Sequence, residues 1–398
     1  MFEIKTTFEQ VVDTTLLGKR DYQIRLGEKA LQMFAGNYHN GAGERENAAK
    51  TVAIESPTGS GKTPIALCIA KAMQANIPDL MIMWISMRRN LIKQAKDEND
   101  PATGWNPDGK DIGADITFMS MFCRDLPRDF IFRNRKRPLL FIHDEMQHDA
   151  AATAAHLHNE MKPDYVLGVS AFPYRTDRVK LAFEKKIADA GIHELIQAKY
   201  LSPYEHYAIP EWSPATVAKF YIADPDRWGP SLVFFNTLDM CAEFRKRVND
   251  AGFCCEQVDA GTDREVQINN LKSGRTNVLV NCAILTEGFN YPDLKSCFVR
   301  NSWHGCTVQM AGRIFRPSKL YPHKQIIQSR DTTWPFPKTA TPIQSWTWRE
   351  NEWLTLKIND QIERVVEEVR FCISEAEDTV PSMLKEVDTK GRRKRRRI

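Results

Sequence analysis

The octapeptide Ser56-Pro57-Thr58-Gly59-Ser60-Gly61-Lys62-Thr63 carries the most specific chemistry of the chain. It follows the apolar run Thr51–Ile54 and opens the apolar segment 65–70, so strand, glycine-rich turn and helix come in the order a phosphate-binding loop needs. Gly59, Ser60 and Gly61 let backbone N–H groups turn inward, and the helix start adds its positive dipole end. Lys62 can reach β- and γ-phosphates, and the Thr63 hydroxyl can hold Mg²⁺. The first position is Ser56 where the strict pattern has glycine. A second cluster, Asp144-Glu145, follows the apolar run 139–142. Two carboxylates at the carboxyl end of a buried strand face the crevice where open α/β sheets bind ligands. There Asp144 would hold the Mg²⁺ hydration shell and Glu145 would orient or deprotonate an attacking water.

A third cluster lies far downstream, at Gln309-x-x-Gly312-Arg313-x-x-Arg316-Pro317. Its three- and four-residue spacings predict one helical side. Two guanidinium groups there could cross a cleft and neutralise charge developing on a γ-phosphoryl group, as arginine fingers do.

The elements that must position these residues are legible as periodicity. Apolar runs at 51–54, 80–85, 116–119, 139–142 and 165–169 alternate with helix candidates at 62–75, 89–98 and 149–161. The pattern recurs with runs at 232–235, 254–258, 278–280 and 296–299 and helices at 237–250, 263–273 and 306–314. Continuous apolar strands separated by helices predict parallel sheets covered on both faces. Prolines 203, 210, 214, 225 and 230 punctuate the join between the halves. An amphipathic helix is expected near 348–376, and the polar run after it ends in a basic octapeptide with the composition of a disordered tail. His156 and His158 read as helix-surface residues, and Trp303-His304 reads equally as core or strand-contacting. The aromatics Trp334, Phe336, Trp346, Trp348 and Trp353 read as packing for the C-terminal helix, ahead of base-stacking platforms.

Composition narrows the class. Of 398 residues, 42% are hydrophobic and 27% charged, and no apolar run approaches bilayer-spanning length. The N-terminus has no apolar stretch behind a basic start, so no secretory signal is expected. Nine cysteines occur with no C-x-x-C spacing, which indicates neither zinc nor a redox motif and fits reduced thiols in a cytosol-like compartment. The seven Lys and Arg of 390–397 exceed the formal net charge of +4, so the remaining chain is net acidic. Arg392 and Arg393 belong to this arm, which is suited to sequence-independent phosphate binding.

Taken in order, these motifs resemble superfamily 2 helicases and translocases, over about 20–317. Arg20-Asp21-Tyr22-Gln23 is similar to the family's adenine-reading motif, which implies Gln23 at the adenine edge. The stretch 86–94 with Arg88 and Arg89, and the stretch 116–120 with Ser120, resemble backbone-touching segments. Residues 168–177 resemble the family's third motif, with Phe172 where a hydroxyl residue is usual. Residues 234–237 resemble the fourth. Leu285-Thr286-Glu287-Gly288-Phe289-Asn290 resembles the fifth, implying nucleic-acid contact at Thr286 and nucleotide contact at Glu287, Gly288 and Asn290. Asn290 stands where Asp is common. The nearest pattern is the restriction and repair branch.

The resemblance implies an α/β protein of two tandem RecA-like domains with parallel sheets, ATP in the inter-domain cleft and a short helical C-terminal extension. The expected bounds are 1–210, 211–330, 331–378 for the extension and 379–398 for the tail. It implies an ATP hydrolase using ATP and Mg²⁺, with Lys62, Glu145, Arg313 and Arg316 catalytic. Nucleic acid is the expected partner, DNA before RNA, with no membrane and no zinc; a monomer would suffice. The setting would be cytoplasmic or nucleoid-associated, or nuclear in a eukaryote. The activity would be helicase or translocase, or an ATP-switched remodelling protein without robust unwinding. A packaging motor should add a carboxylate cluster that is not evident after 230, and a small-molecule kinase would need only one lobe.

Overall fold

The computed structural model describes residues 2–15, 17–87, 89–100, 112–120, 136–148, 152–173, 183–282, 284–286 and 289–356. The chain forms two compact units, Met1–Ile343 and Gln344–Ile398.

The first unit holds two parallel sheets. In the first, strands β1 (Thr51–Glu55), β2 (Met81–Ser86), β3 (Thr117–Ser120), β4 (Leu139–Asp144), β5 (Tyr165–Ser170) and β6 (Lys185–Ala188) lie in the order β3-β2-β4-β5-β1-β6. β2 and β4 are buried along their whole length, which is why they read as unbroken apolar runs rather than alternating ones. Register places Asp144 beside Val169 and Glu55 beside Ser170, so the loops after β4, β5 and β1 emerge side by side. Helices Lys62–Asn76 and Arg89–Asn99 connect these strands.

The second sheet contains β7 (Tyr204–Ile209), β8 (Ser231–Phe234), β9 (Cys255–Val258), β10 (Val278–Asn281), β11 (Ser296–Phe298) and β12 (Lys324–Ser329). They run parallel in the order β7-β12-β11-β8-β10-β9. Helices Pro214–Ala223, Leu238–Asp250 and Arg264–Lys272 start where side chains cap them: Ser213 accepts from Thr216 N, Thr237 from Met240 N, and Asp263 from Glu265 N and Val266 N. A contiguous apolar cluster runs through both sheets, from Trp84 and Leu167 to Phe234 and Ile326.

Three differences from the expected elements have physical causes. β7 falls within the residues assigned to the first lobe, yet it pairs with β12 of the second sheet. β12 escaped the periodicity search because Lys324, Gln325, Gln328 and Ser329 are polar. Each is buried and hydrogen-bonded or packed inside, Lys324 by donating to the carbonyls of Pro292 and Leu294 at 2.6 and 2.7 Å. Within the second unit, Gln344–Arg349 and Glu352–Leu356 form an antiparallel hairpin where the extension was expected to be helical. Glu350 and Asn351 adopt positive φ, as a two-residue hairpin turn demands, and Trp348 packs edge-on against Trp353 across it. Residues 357–398, with the rest of the expected helix and the basic tail, lie outside the described residues. Among the described residues no helix is long and apolar enough to cross a membrane.

Asn76 ties the N-terminal segment to the end of the helix Lys62–Asn76. Its Oδ1 accepts from the N–H groups of Lys5 and Thr6, and its Nδ2 donates to Thr6 O and Ala72 O. Asn76→Ala strands several of these groups and should cost about 2 kcal/mol, read as a lower urea midpoint with an unchanged slope.

Candidate nucleotide site

The loop after β1 is built by its own residues. Ser56 N continues the ladder to Ser170 O at 3.0 Å, and Ser56 Oγ meets Ser60 Oγ at 2.7 Å. That hydroxyl pair closes the loop, which accounts for serine at a position where the strict motif has glycine. Gly59 and Gly61 take φ of 83° and 84°, a region other residues enter only with strain. Gly61 is the N-cap of helix Lys62–Asn76, with no side-chain cap and no acidic residue in the first turn. The open N–H groups and the dipole therefore favour an anion at this point. From helix Asp21–Ala35, Tyr22 Oη and Gln23 Nε2 both donate to Ser60 O, the latter at 2.8 Å. A Cβ on Gly61 would lie 2.6 Å from Gln23 Nε2, so a side chain there would push the Gln23 amide off the loop.

Asp144 and Glu145, at the end of β4, are both buried, and Glu145 has φ of 57°. A non-glycine residue in that region is strained, and such strain gathers at functional sites. Glu145 Oε2 accepts from Gln147 Nε2 at 3.1 Å, and Ser170 Oγ donates to Gln147 Oε1 at 2.6 Å. Phe172 N donates to Ser170 Oγ at 2.9 Å, so hydrogen bonds run from Glu145 to the segment after β5. Phe172 continues the path as an aromatic contact: its ring stands edge-on to Trp303 at 5.1 Å and to His304 at 5.4 Å. His304 in turn packs on Trp334 at 4.3 Å, and Phe336 on Phe315 at 5.5 Å, so these aromatics do packing work. His158, expected on a helix surface, instead faces His143, with Nε2 atoms 3.1 Å apart.

Gln309, Arg313 and Arg316 were expected to share one helix face. The helix is His304–Ala311, and Gly312 ends it, leaving both arginines in the turn that follows. That turn lies against the phosphate loop. A Cβ on Gly312 would stand 2.8 Å from Thr58 Cβ, and one on Gly59 3.7 Å from Arg316 Cγ. Ser202 N also donates to Phe315 O at 2.8 Å, holding the turn from below. Arg313 Nε donates to Gln309 O at 3.3 Å and Arg316 Nη1 to Phe289 O at 3.1 Å.

The result is a cavity of about 400 Å³ shared by both sheets of the first unit. Gln23, Gly59, Gly61, Lys62, Thr63, Asp144 and Glu145 line it from the first sheet, and Asn290, Arg313 and Arg316 from the second. Burial pushes the Lys62 ammonium below its ordinary value, an effect opposed chiefly by Glu145 and reinforced by Arg313. Burial likewise brings Arg316 down to about 10, with Arg313 adding to the shift. Desolvated cations crowded together gain most from an incoming polyanion. Thr63 and Asp144 offer hard oxygen ligands in the same cavity, a donor set that fits Mg²⁺ held partly by substrate phosphates. Among the described residues no group of three or more His, Cys, Asp or Glu could hold a metal.

Of the residues expected to touch nucleic acid, Arg89 starts an α-helix and is exposed, and Ser120 ends β3, whose neighbour β2 pairs Ser86 with it. Thr286 sits in a 3-10 turn after β10. Arg88, Glu287, Gly288, Arg392 and Arg393 lie outside the described residues. Sequence reasoning missed Gln147 as the link to Ser170 and missed Glu98; Leu91 and Gln94, in the stretch 86–94 expected to touch the nucleic-acid backbone, line the nucleotide cavity with it from helix Arg89–Asn99. Their three- and four-residue spacing was the available signal.

Residues 17–175 match the family model described as "Type III restriction enzyme, res subunit", and 214–318 match "Helicase conserved C-terminal domain". Together the two cover well over half of the chain, which belongs to the superfamily 2 helicases and carries that family's motor domains. A "51.5 kDa protein" of Lactococcus phage (isolate 7-9) is 24% identical over 271 residues, 60% of this chain and 56% of that protein. The chain thus spans little more than half the length of that relative. Among solved structures, a fragment of an HsdR subunit of a type I restriction enzyme from Vibrio vulnificus YJ016 has a TM-score of 0.61 at 16% identity, covering 86% of this chain and 72% of that one. The Type ISP restriction-modification enzyme LlaBIII bound to DNA has a TM-score of 0.51 at 15% identity, over 78% and 27%. A variant of S. cerevisiae Dbp5 bound to RNA and ADP BeF3 has a TM-score of 0.54 at 13% identity, over 91% and 99%. At these identities the likeness concerns the fold, two tandem RecA-like domains.

Gly61→Ala should weaken nucleotide affinity about tenfold, since positive φ costs roughly 1–2 kcal/mol before the approach of Gln23 is counted. Titration with a fluorescent ADP analogue reads this, and unchanged affinity would mean that Gly61 is not required for its fit.

Proposed function

We propose that this protein is an ATP-driven DNA translocase or helicase of the restriction and repair type. The observation that carries the reading is the contact of Gly312 with Thr58, which brings Arg313 and Arg316 into one cavity with Lys62. Lys62 and the N–H groups from Gly59 to Thr63 bind the β- and γ-phosphates, and Gln23 reads the adenine edge. Glu145 orients the attacking water and accepts its proton. Arg313 and Arg316 neutralise the charge that develops on the γ-phosphoryl oxygens. Mg²⁺, held by Thr63 and Asp144 together with the nucleotide, would supply further neutralisation of the phosphates. The lobes proposed for this cycle are 1–210 and 211–330, with β7 contributed to the second sheet. Repeated closure of the lobes on ATP and opening on product would ratchet them along a strand held near Arg88, Arg89, Ser120 and Thr286.

DNA is favoured by the restriction-enzyme relatives, one of them solved bound to DNA. The fold is also that of a Dbp5 structure bound to RNA. A second reading, an ATP-switched remodelling protein without robust unwinding, is favoured by Phe172. An aromatic contact to Trp303 there replaces the hydroxyl usual at this position.

Lys62→Ala should abolish hydrolysis. Arg316→Ala should lower kcat by about 10³ while nucleotide binding falls far less, because an arginine finger acts mainly in the transition state. ATPase rates with single-stranded, duplex and branched DNA and with RNA, run beside displacement of an annealed oligonucleotide, separate the two readings. Strand-stimulated hydrolysis in Lys62→Ala would overturn the site.

A further inference from the structure

Glu98 is a charge in the nucleotide cavity that none of the roles above uses. It sits in the last turn of helix Arg89–Asn99, is only 6% exposed, and lines the cavity with Arg316 and Gln94. Its Oε1 accepts from Gln94 Nε2 at 2.7 Å, while Oε2 is buried with no hydrogen-bond partner. A buried carboxylate oxygen left without a donor is costly, so its presence asks for a function. Arg316 is the complementary case: a half-buried guanidinium with five donors, of which one bonds to the Phe289 carbonyl at 3.1 Å. Each is the other's opposite charge in a common low-dielectric space, acting across the cavity rather than through a direct ion pair.

We propose that Glu98 is a positioning residue that sets nucleotide affinity: its carboxylate is the counter-charge of Arg316 in the empty cavity and is replaced in that role by the triphosphate. This rests on the cavity being the ATP site. An incoming polyanion must displace the attraction between Glu98 and Arg316 and is itself repelled by Glu98. The cost is lowest when Glu98 takes up a proton as the phosphates arrive. Burial already pushes this carboxyl up to about 7, opposed by Gln94 and by Arg316 and reinforced by Asp97. The charged groups facing it are Arg316 from the turn after helix His304–Ala311 and Asp97 on its own helix. Further along the cavity are Lys62, Asp144, Glu145, Arg313 and Arg20.

The sign follows. With its pKa raised above the ordinary carboxylate value, Glu98 is neutral below about 7 and charged above it, so nucleotide should bind more tightly at the acid side. Glu98→Gln keeps the Gln94 contact and removes the charge. Titration of a fluorescent ADP analogue with excess Mg²⁺ from about pH 6 to about 8.5 should show wild-type affinity weakening by up to about tenfold per unit above the transition. Glu98→Gln should lack that fall and bind more tightly at the alkaline end, with KM for ATP lowered and kcat little changed. Thermal melting supplies a reading independent of activity: a carboxylate buried at this cost should make the wild type less stable than Glu98→Gln above neutrality, the gap closing as pH falls through the range between the raised and the ordinary carboxylate pKa and vanishing below about pH 4. If the two proteins share one affinity profile and one pH-dependence of melting, the assignment of Glu98 is overturned. Absence of nucleotide binding in the wild type would overturn instead the ATP site on which it rests.

Discussion

Everything at the nucleotide site depends on the missing side chain of Gly312. With no Cβ there, the turn after helix His304–Ala311 comes against Thr58 of the phosphate loop, at a distance that alanine could not keep without displacing backbone. The contact places cations from one sheet beside a lysine from the other. Mutual repulsion and desolvation of Lys62, Arg313 and Arg316 would open such a cluster unless anions shared it. Asp144, Glu145 and Glu98 supply them in the same cavity. The site is therefore close to balanced when empty and ready to exchange protein carboxylates for phosphates as counter-charges.

Beside the apolar cluster that runs through both sheets, two further links among the described residues join them at the site. One is the glycine contact, which carries the arginines. The other runs from Glu145 through Gln147 and Ser170 to the Phe172 backbone, then through the Phe172 ring to Trp303 at the start of the helix that precedes those arginines. Glu145 and Arg313 thus lie at opposite ends of one continuous chain of contacts. An aromatic pair packs with less directional demand than a hydroxyl hydrogen bond. The chemistry at Phe172 therefore changes how tightly the two ends are geared without severing them.

Much of the fold was legible because parallel strands buried on both faces write themselves as apolar runs, and several helices begin at Ser, Thr and Asp caps. The strands that were not legible are those whose polar residues find partners only in three dimensions. Lys324 is buried because two carbonyls 32 and 30 residues away accept its protons, a pairing no local pattern announces. The amphipathic helix expected near 348–376 overlaps the hairpin Gln344–Leu356, whose pairing is set by its turn rather than by a helical period. Two positive-φ residues at the turn decided the matter.

The sequence by itself determined the phosphate loop, the Asp144-Glu145 pair and the two arginines as chemical groups, since residue types and short spacings suffice to define what each can bind. It also determined their family, through the order in which they occur. Only the tertiary structure decided that the arginines leave the helix before they reach the cavity, that Gln147 joins Glu145 to Ser170, and that Glu98 faces Arg316. Those relations hold between residues as far as 218 positions apart in the case of Glu98 and Arg316, and they follow from strand order and close backbone approach, which spacing along the chain does not encode.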